Sequence, residues 1–327
     1  MTLLPWAVLS SGPFGALWLE ALLRRGAVPL WTATGAARPA GRGLRLRPMP
    51  VEETALRWGI PLVSSPEPEV EALDLCSGPR SLGGRDTEPP EVLFVVDCGR
   101  RIREPLLSRP PRGCLNLHPS LLPDLRGAAP IPRALLRGDR SAGTSLFRLV
   151  EAMDAGPVLD QAVLEIAPTD DAGTLMGRLA DLSAQRTLAY LEDPEGFPAV
   201  PQGEKGVTLA PKILPEETRL SWDRPALEVW GTLRAFSPRP GAWTLWRGKR
   251  LRILGAEPAG SESPGTPPGR IRLTEEGDPR VTCGTEALIL RRVQPEGKAP
   301  LDAREWARGL RLREGEGFDD PLGEVKS

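Results

Sequence analysis

The chain has 327 residues, with 42 Lys or Arg against 43 Asp or Glu and a formal net charge of −1. That length suits two domains that each bury a core, and the even charge balance excludes a global drive towards nucleic acid or membrane surfaces, so any polyanion must be met by local patches. Four cysteines without C-x-x-C spacing and a single histidine exclude a disulfide framework and a zinc site of the usual kind, and no apolar run is long enough to span a bilayer.

In chain order, residues 7–9 form a short strand, 10–15 a glycine-containing turn, and 16–25 a helix burying Leu17, Leu19, Leu22 and Leu23. Residues 28–33 are the next strand, and this β-turn-α-β opening marks a parallel sheet. The break at Gly12-Pro13-Phe14-Gly15, followed by Glu20, separates the opening from a secretion signal and makes the cytoplasm the expected compartment. Ser11-Gly12-Pro13-Phe14-Gly15 is not the G-x-G-x-x-G pattern of dinucleotide sites. A helix over 51–58 leads to a strand at 61–63, and the Gly-, Pro- and charge-rich stretch 77–90 reads as an exposed loop. A strand at 93–96 and a helix around 103–107 precede a strand at 113–118. A helix over 130–137 with Pro near its start, a strand over 142–149 and a Leu- and Ala-rich helix over 172–191 follow. Residues 193–207, with three Pro and three Gly, read as a linker. Beyond it the pattern changes to short β segments at 242–246, 250–254, 269–273, 280–283 and 287–293, with a helix at 302–311, which suggests a small β-barrel. There is no internal repeat.

The only asparagine and the only histidine stand two positions apart, in Leu115-Asn116-Leu117-His118-Pro119-Ser120-Leu121-Leu122-Pro123. Histidine is the one side chain whose ordinary pKa lies near neutrality, so this chain has one ready-made proton-transfer group. A lone histidine is more often a structural residue, and an asparagine before a turn often caps something. Two features favour chemistry: strand alternation puts both side chains on one face, and a Pro-bounded loop follows, where open α/β sheets hold their ligands. The strand at 142–149 delivers Glu151-Ala152-Met153-Asp154-Ala155-Gly156-Pro157 to the same edge.

These residues resemble a known family. Leu115 to Pro123 resembles the signature of enzymes that transfer formyl from 10-formyltetrahydrofolate. Arg126-Gly127-Ala128-Ala129-Pro130-Ile131 and Arg38-Pro39-Ala40-Gly41-Arg42-Gly43 are similar to segments of its tRNA-specific branch, the methionyl-tRNA formyltransferases. Further matches at Ala210-Pro211-Lys212-Ile213, Leu220-Ser221-Trp222, Arg234-Ala235-Phe236 and Gln294-Pro295-Glu296-Gly297-Lys298 extend the likeness over nearly the whole chain. The family's Gly-Thr-Pro-x-Phe turn is here Ser10-Ser11-Gly12-Pro13-Phe14, its Ala-Tyr-Gly is Asp97-Cys98-Gly99, and Leu125 stands for its usual Trp.

The resemblance implies an α/β fold: a Rossmann-like, folate-binding catalytic domain at 1–192, a linker at 193–207, an OB-like, tRNA-binding β-barrel at 208–318 and a disordered tail at 319–327. It implies catalysis by Asn116, His118 and Asp154, with 10-formyltetrahydrofolate as formyl donor, methionyl initiator tRNA as acceptor, no metal, no membrane and a monomeric chain. Attack of an amine on the formyl carbon creates an oxyanion that the Asn116 amide can stabilise. His118 can donate to it or relay a proton to the departing folate nitrogen, and Asp154 would fix the imidazole tautomer and help deprotonate the amine. Ser120, Leu121, Leu122 and Pro123 would contact folate, and Arg38, Arg42 and Arg45 would meet RNA phosphates. Formyl transfer to glycinamide ribonucleotide or a sugar amine, hydrolysis of formyltetrahydrofolate, and RNA binding without catalysis remain open alternatives at this point.

Overall fold

Trp6–Ser10 and Val92–Val96 are buried at every position, the pattern of parallel strands covered on both faces. The computed structural model describes residues 3–40, 45–260, 265–310, 312 and 316–319, with only the backbone at 40 and 45. In chain order the elements are β1 (Trp6–Ser10), α1 (Pro13–Arg24), β2 (Thr32–Gly35), β3 (Arg38–Ala40), β4 (Arg45–Arg47), α2 (Pro50–Trp58), β5 (Leu62–Ser65) and α3 (Pro68–Ser77). There follow β6 (Arg80–Leu82), β7 (Arg85–Thr87), β8 (Val92–Val96), β9 (Cys114–His118), α4 (Pro130–Arg137), β10 (Ser141–Arg148), β11 (Val158–Glu165) and α5 (Ala172–Glu192). The last are α6 (Ala226–Phe236), β12 (Trp243–Trp246), β13 (Lys249–Pro258), β14 (Ile271–Leu273), β15 (Pro279–Thr282), β16 (Ala287–Pro295), β17 (Leu301–Asp302) and α7 (Ala303–Leu310).

The first unit is built on a seven-stranded sheet of order β11-β10-β9-β8-β1-β2-β5, parallel from β9 to β5 and antiparallel at β10 and β11. The chain moves from β1 outward to β2 and β5, then returns to β8 on the other side of β1. Such a reversal opens a crevice at the carboxyl ends of the strands. One face of the sheet packs Trp6 and Phe94 edge-to-face, 5.8 Å between centroids, with Trp18 and Tyr190 around them; Trp18 Nε1 donates to Thr187 Oγ1 at 3.0 Å. The other face buries Ala7, Leu9, Trp31, Leu93 and Val95 against Ala72, Leu75 and Leu106.

The second unit carries an antiparallel sheet of order β12-β13-β16-β15-β14, with β17 on β16. Register shifts in β13 around Gly255 curl it, and among the described residues no strand pairing joins β14 back to β12, so it is a partial barrel. Its core stacks Trp222 on Phe318 at 5.0 Å, with Trp246 and Trp306 alongside. No helix among the described residues is long and apolar enough to cross a membrane.

Several local expectations give way. The strand expected at 28–33 begins at Thr32, because Val28 is 59% exposed and Pro29 cannot donate to a ladder. The stretch 103–107 turns without becoming an α-helix, since Pro105 removes a helical donor at its centre. Helix α3, the β6-β7 hairpin, edge strand β11 and helix α6 had no expected counterpart. Only Pro68, Ala72, Leu75 and Cys76 of α3 are buried, and β11 alternates weakly on an edge, so neither shows a strong period. Residues 193–207 are not a free tether: Val158 and Val200 exchange two backbone hydrogen bonds of 2.8 Å, and the first unit runs through Ala210. Residues 131–140 and 166–175 group with the second unit, so the structure divides the chain at 210/211 with two excursions instead of at the expected linker. Residues 320–327 of the expected tail lie outside the described residues.

Phe94 is fully buried at the centre of the aromatic cluster. Phe94→Ala is expected to lower the unfolding free energy of the first unit by about 3–5 kcal/mol, read by denaturant titration of tryptophan fluorescence. A loss below about 1 kcal/mol would mean that the site collapses around the missing ring.

Candidate active site

Strand β9 ends at the crevice, where Asn116 and His118, with the buried Leu117 between them, line a cavity of about 690 Å³. Asp154 lines the same cavity, so the three residues expected to act together are brought together. All lining residues belong to the first unit.

The imidazole of His118 is 5% exposed and is held by a peptide group. Its Nε2 lies 2.9 Å from the Leu125 carbonyl oxygen, which can only accept, so Nε2 carries a proton. Nδ1 is therefore the nitrogen left for proton exchange, and it faces Asp154 Oδ2 at 3.9 Å. The expectation that Asp154 sets the tautomer is corrected: the Leu125 carbonyl sets it. The Asp154 carboxylate is instead held by the Gly127 N–H, which donates to Oδ2 at 2.8 Å. Gly127 has φ +124, and a Cβ there would lie 2.7 Å from the Ala210 carbonyl oxygen, so this N–H can be aimed at the acid only from a glycine. Leu125 and Asp154 themselves have left-handed backbones, φ 57 and φ 50, conformations that cost of order 1 kcal/mol or more and gather at functional sites.

Asn116 makes no side-chain hydrogen bond among the described residues, and its Oδ1 is sealed from solvent without a partner. Buried amide oxygens are nearly always satisfied, so this one is placed for something else. Cys98 also lines the cavity, but burial pushes its thiol up to about 11, which keeps it protonated at neutral pH and unsuited to attack a carbonyl.

Ser120, Leu121, Leu122 and Pro123 do not line the cavity. Their polar groups are spent inside the protein: Ser120 Oγ donates to the Asp124 carbonyl at 2.6 Å, Ser145 Oγ donates to the Ser120 carbonyl at 2.7 Å, and the Leu122 N–H donates to Ser145 Oγ at 3.0 Å. The cavity wall is made instead by Phe14, by Asp97 to Ile102, and by Leu107 and Leu149. The two altered turns, 10–14 and 97–99, thus do border the cavity.

Asp97 was not among the expected site residues. It follows β8 with φ 48, faces the cavity, and accepts the Phe14 N–H on Oδ2 at 2.9 Å. Helix α1 has no side-chain cap and no acid in its first turn, so this carboxylate supplies both from across the sheet. A Cβ at Gly12 would lie 1.9 Å from an Asp97 oxygen, so glycine there admits the acid. Desolvation by the surrounding protein raises the Asp97 pKa, opposed by the Phe14 and Gly15 N–H groups. The folded chain then holds this proton more tightly than the unfolded chain, so the carboxylate's effect on stability turns less favourable as pH rises above about 4. Asp97→Asn should gain on the parent in unfolding free energy between about pH 4 and pH 7; a difference that stays flat across that range in denaturant titrations would contradict the assignment.

Of the expected RNA contacts, Arg38 is exposed and paired with Arg47 across the β3-β4 hairpin. Arg42 lies outside the described residues, as does the side chain of Arg45. On the second unit, Arg250 and Arg219 lie over the Trp243 ring, 3.9 and 5.6 Å from its centroid.

Residues 83–190 match the formyl transferase family and residues 212–311 the family described as formyl transferase, C-terminal domain. The chain is 38% identical over 295 residues to a methionyl-tRNA formyltransferase of Frankia casuarinae, covering 85% of each, and 40% identical over 283 residues to one of Parafrankia, covering 86% of this chain and 88% of that protein. Among solved structures, HypX of Aquifex aeolicus in complex with tetrahydrofolic acid is similar at TM-score 0.63 and 18% identity over 99% of this chain, which spans 50% of that longer one. A methionyl-tRNA formyltransferase from Clostridium thermocellum is similar at TM-score 0.52 and 12% identity over 88% of this chain and 99% of that one; both likenesses speak for the fold alone. With such identity to curated relatives over most of its length, and family matches in both of its units, the chain belongs to the methionyl-tRNA formyltransferase family.

Proposed function

We propose that the chain transfers a formyl group from 10-formyltetrahydrofolate to the amino group of methionyl initiator tRNA, with Asn116, His118 and Asp154 at the reacting atoms. The observation that carries the chemistry is the convergence of these three side chains on one cavity. Its volume is within the range of small-molecule sites, and its apolar wall at Val95, Ile102, Leu107 and Leu149 suits a fused-ring donor. The acceptor follows from membership of the family.

The donor supplies an electrophilic formyl carbon; the protein manages charge and the two protons that the ammonium gives up on becoming an amide. The incoming ammonium must lose a proton before its lone pair can attack, and the Asp154 carboxylate, poised by the Gly127 N–H, is the nearby base. Attack places negative charge on the formyl oxygen, where the Asn116 Nδ2 hydrogens can stabilise it. After attack the new C–N nitrogen gives up a second proton, which His118 Nδ1, facing Asp154, can pass to the departing folate nitrogen as its bond to the formyl carbon breaks, while the first proton leaves Asp154 to solvent, so one proton is released per turnover. Arg38 opposite Arg47 supports an RNA contact, because like charges directly across a hairpin repel unless an anion lies between them.

Asn116→Ala is expected to lower kcat by about 10²–10³ with tRNA binding unchanged, in an assay of formyl transfer to charged initiator tRNA run beside free amines and a no-acceptor control. Formate release without acceptor would point to a hydrolase, and comparable turnover in the variant would reject the role of Asn116. Arg38→Ala should weaken tRNA binding and reduce the slope of log affinity against log salt by about one; an unchanged slope would remove the hairpin from the RNA surface.

A further inference from the structure

We infer that Gln202 is a positioning residue for formyl transfer, the single amide that locks the loop bearing Asp154 to the loop that holds His118. Residue 202 lies in the stretch whose composition reads as a linker, yet its side chain is half-buried and fully engaged. Its Nε2 donates to the Asp154 carbonyl at 2.8 Å and to the Gly156 carbonyl at 2.7 Å. Its Oε1 accepts from Arg126 Nε at 3.1 Å and Nη2 at 2.6 Å. Only this orientation of the amide works, because two carbonyls need donors and a guanidinium needs an acceptor.

The chain positions on either side show what the lock controls. Arg126 stands between Leu125, whose carbonyl holds His118 Nε2, and Gly127, whose N–H holds Asp154 Oδ2. The segment 208–210 pins the same loop, through Arg126 N–H to the Thr208 carbonyl at 3.0 Å and Ala210 N–H to the Arg126 carbonyl at 2.7 Å. Two residues before Gln202, Val200 exchanges backbone hydrogen bonds with Val158, so the amide is anchored in the chain direction as well. Asp154 sits in a left-handed turn outside any strand. The Gly127 N–H holds the Asp154 carboxylate against the 125–127 loop, and the two bonds from Gln202 Nε2 hold its main chain. The separation of 3.9 Å between Asp154 and His118 Nδ1 thus depends on Gln202 as well as on Gly127, and a misplacement of about 1 Å can cost of order 10² in rate.

The inference rests on the reading that Asp154 acts in the transfer, so Asp154→Asn is measured beside the Gln202 variants. Gln202→Met keeps the length of the side chain and removes every hydrogen bond. Gln202→Glu keeps the acceptor for Arg126 but sets anionic oxygens against two carbonyls. Both should lower kcat at least tenfold and displace its pH profile, which reports the Asp154 and His118 pair, while the KM for 10-formyltetrahydrofolate changes less than threefold and circular dichroism matches the parent. A folded Gln202→Met with the parent's kcat and pH profile overturns the inference. So does recovery of activity in Gln202→Glu, because pairing with Arg126 alone would then suffice. If Asp154→Asn is inactive and the Gln202 variants are not impaired, only the inference fails; if Asp154→Asn turns over like the parent, the reading of the site fails with it.

Discussion

A peptide carbonyl constrains everything else in this site. By accepting from Nε2, Leu125 leaves His118 one free nitrogen and points it at Asp154. For that to happen Leu125 must adopt a left-handed backbone, and its own N–H must be satisfied; Thr208 Oγ1 accepts it at 2.9 Å. The next N–H but one, from Gly127, then reaches the carboxylate. The loop 125–127 is therefore the template on which histidine and aspartate are registered, and the segment 200–210 is the brace that stops it relaxing.

The sheet explains why the template lies where it does. Strands β8 and β9 run parallel and are buried, so their ends cannot shift without breaking the core, and their carboxyl termini open at the reversal of strand order. Asp97 carries the same logic to the far wall. One residue terminates β8, caps α1 with its carboxylate and borders the cavity, and with the Ser11 and Gly12 N–H groups on its carbonyl it fastens the wall contributed by Phe14 to the wall contributed by 97–102. A half-buried thiol beside it adds shape and little reactivity.

The core strands and the candidate pair Asn116 and His118 were legible in the chain for a simple reason. Continuous apolar runs bounded by turns mark covered strands, and a spacing of two on a strand puts Asn116 and His118 on one face whatever the tertiary structure. The folate contacts expected at 120–123 rest on the resemblance, and what local reasoning missed there is that Ser145 and the Asp124 carbonyl take up the loop's polar groups. Helices α3 and α6 were missed because each shows a narrow apolar stripe interrupted by charge or flanked by proline. The second unit's tendency to short strands was readable from its turns, while the openness of its barrel was not, since strand closure is a matter of pairing between distant segments.

What the amino-acid sequence determined alone is the inventory: one histidine and one asparagine in register on a strand, an acid delivered by a later loop, two units of different texture, and membership of a family. Tertiary structure decided how these act. Which nitrogen of His118 is free, which N–H steadies Asp154, and that Gln202 and Asp97 belong to the site at all depend on contacts between residues 7 to 83 positions apart. Local propensity carries no information about such pairs, because a hydrogen bond's partner is set by where the backbone ends up and not by the residue that makes it.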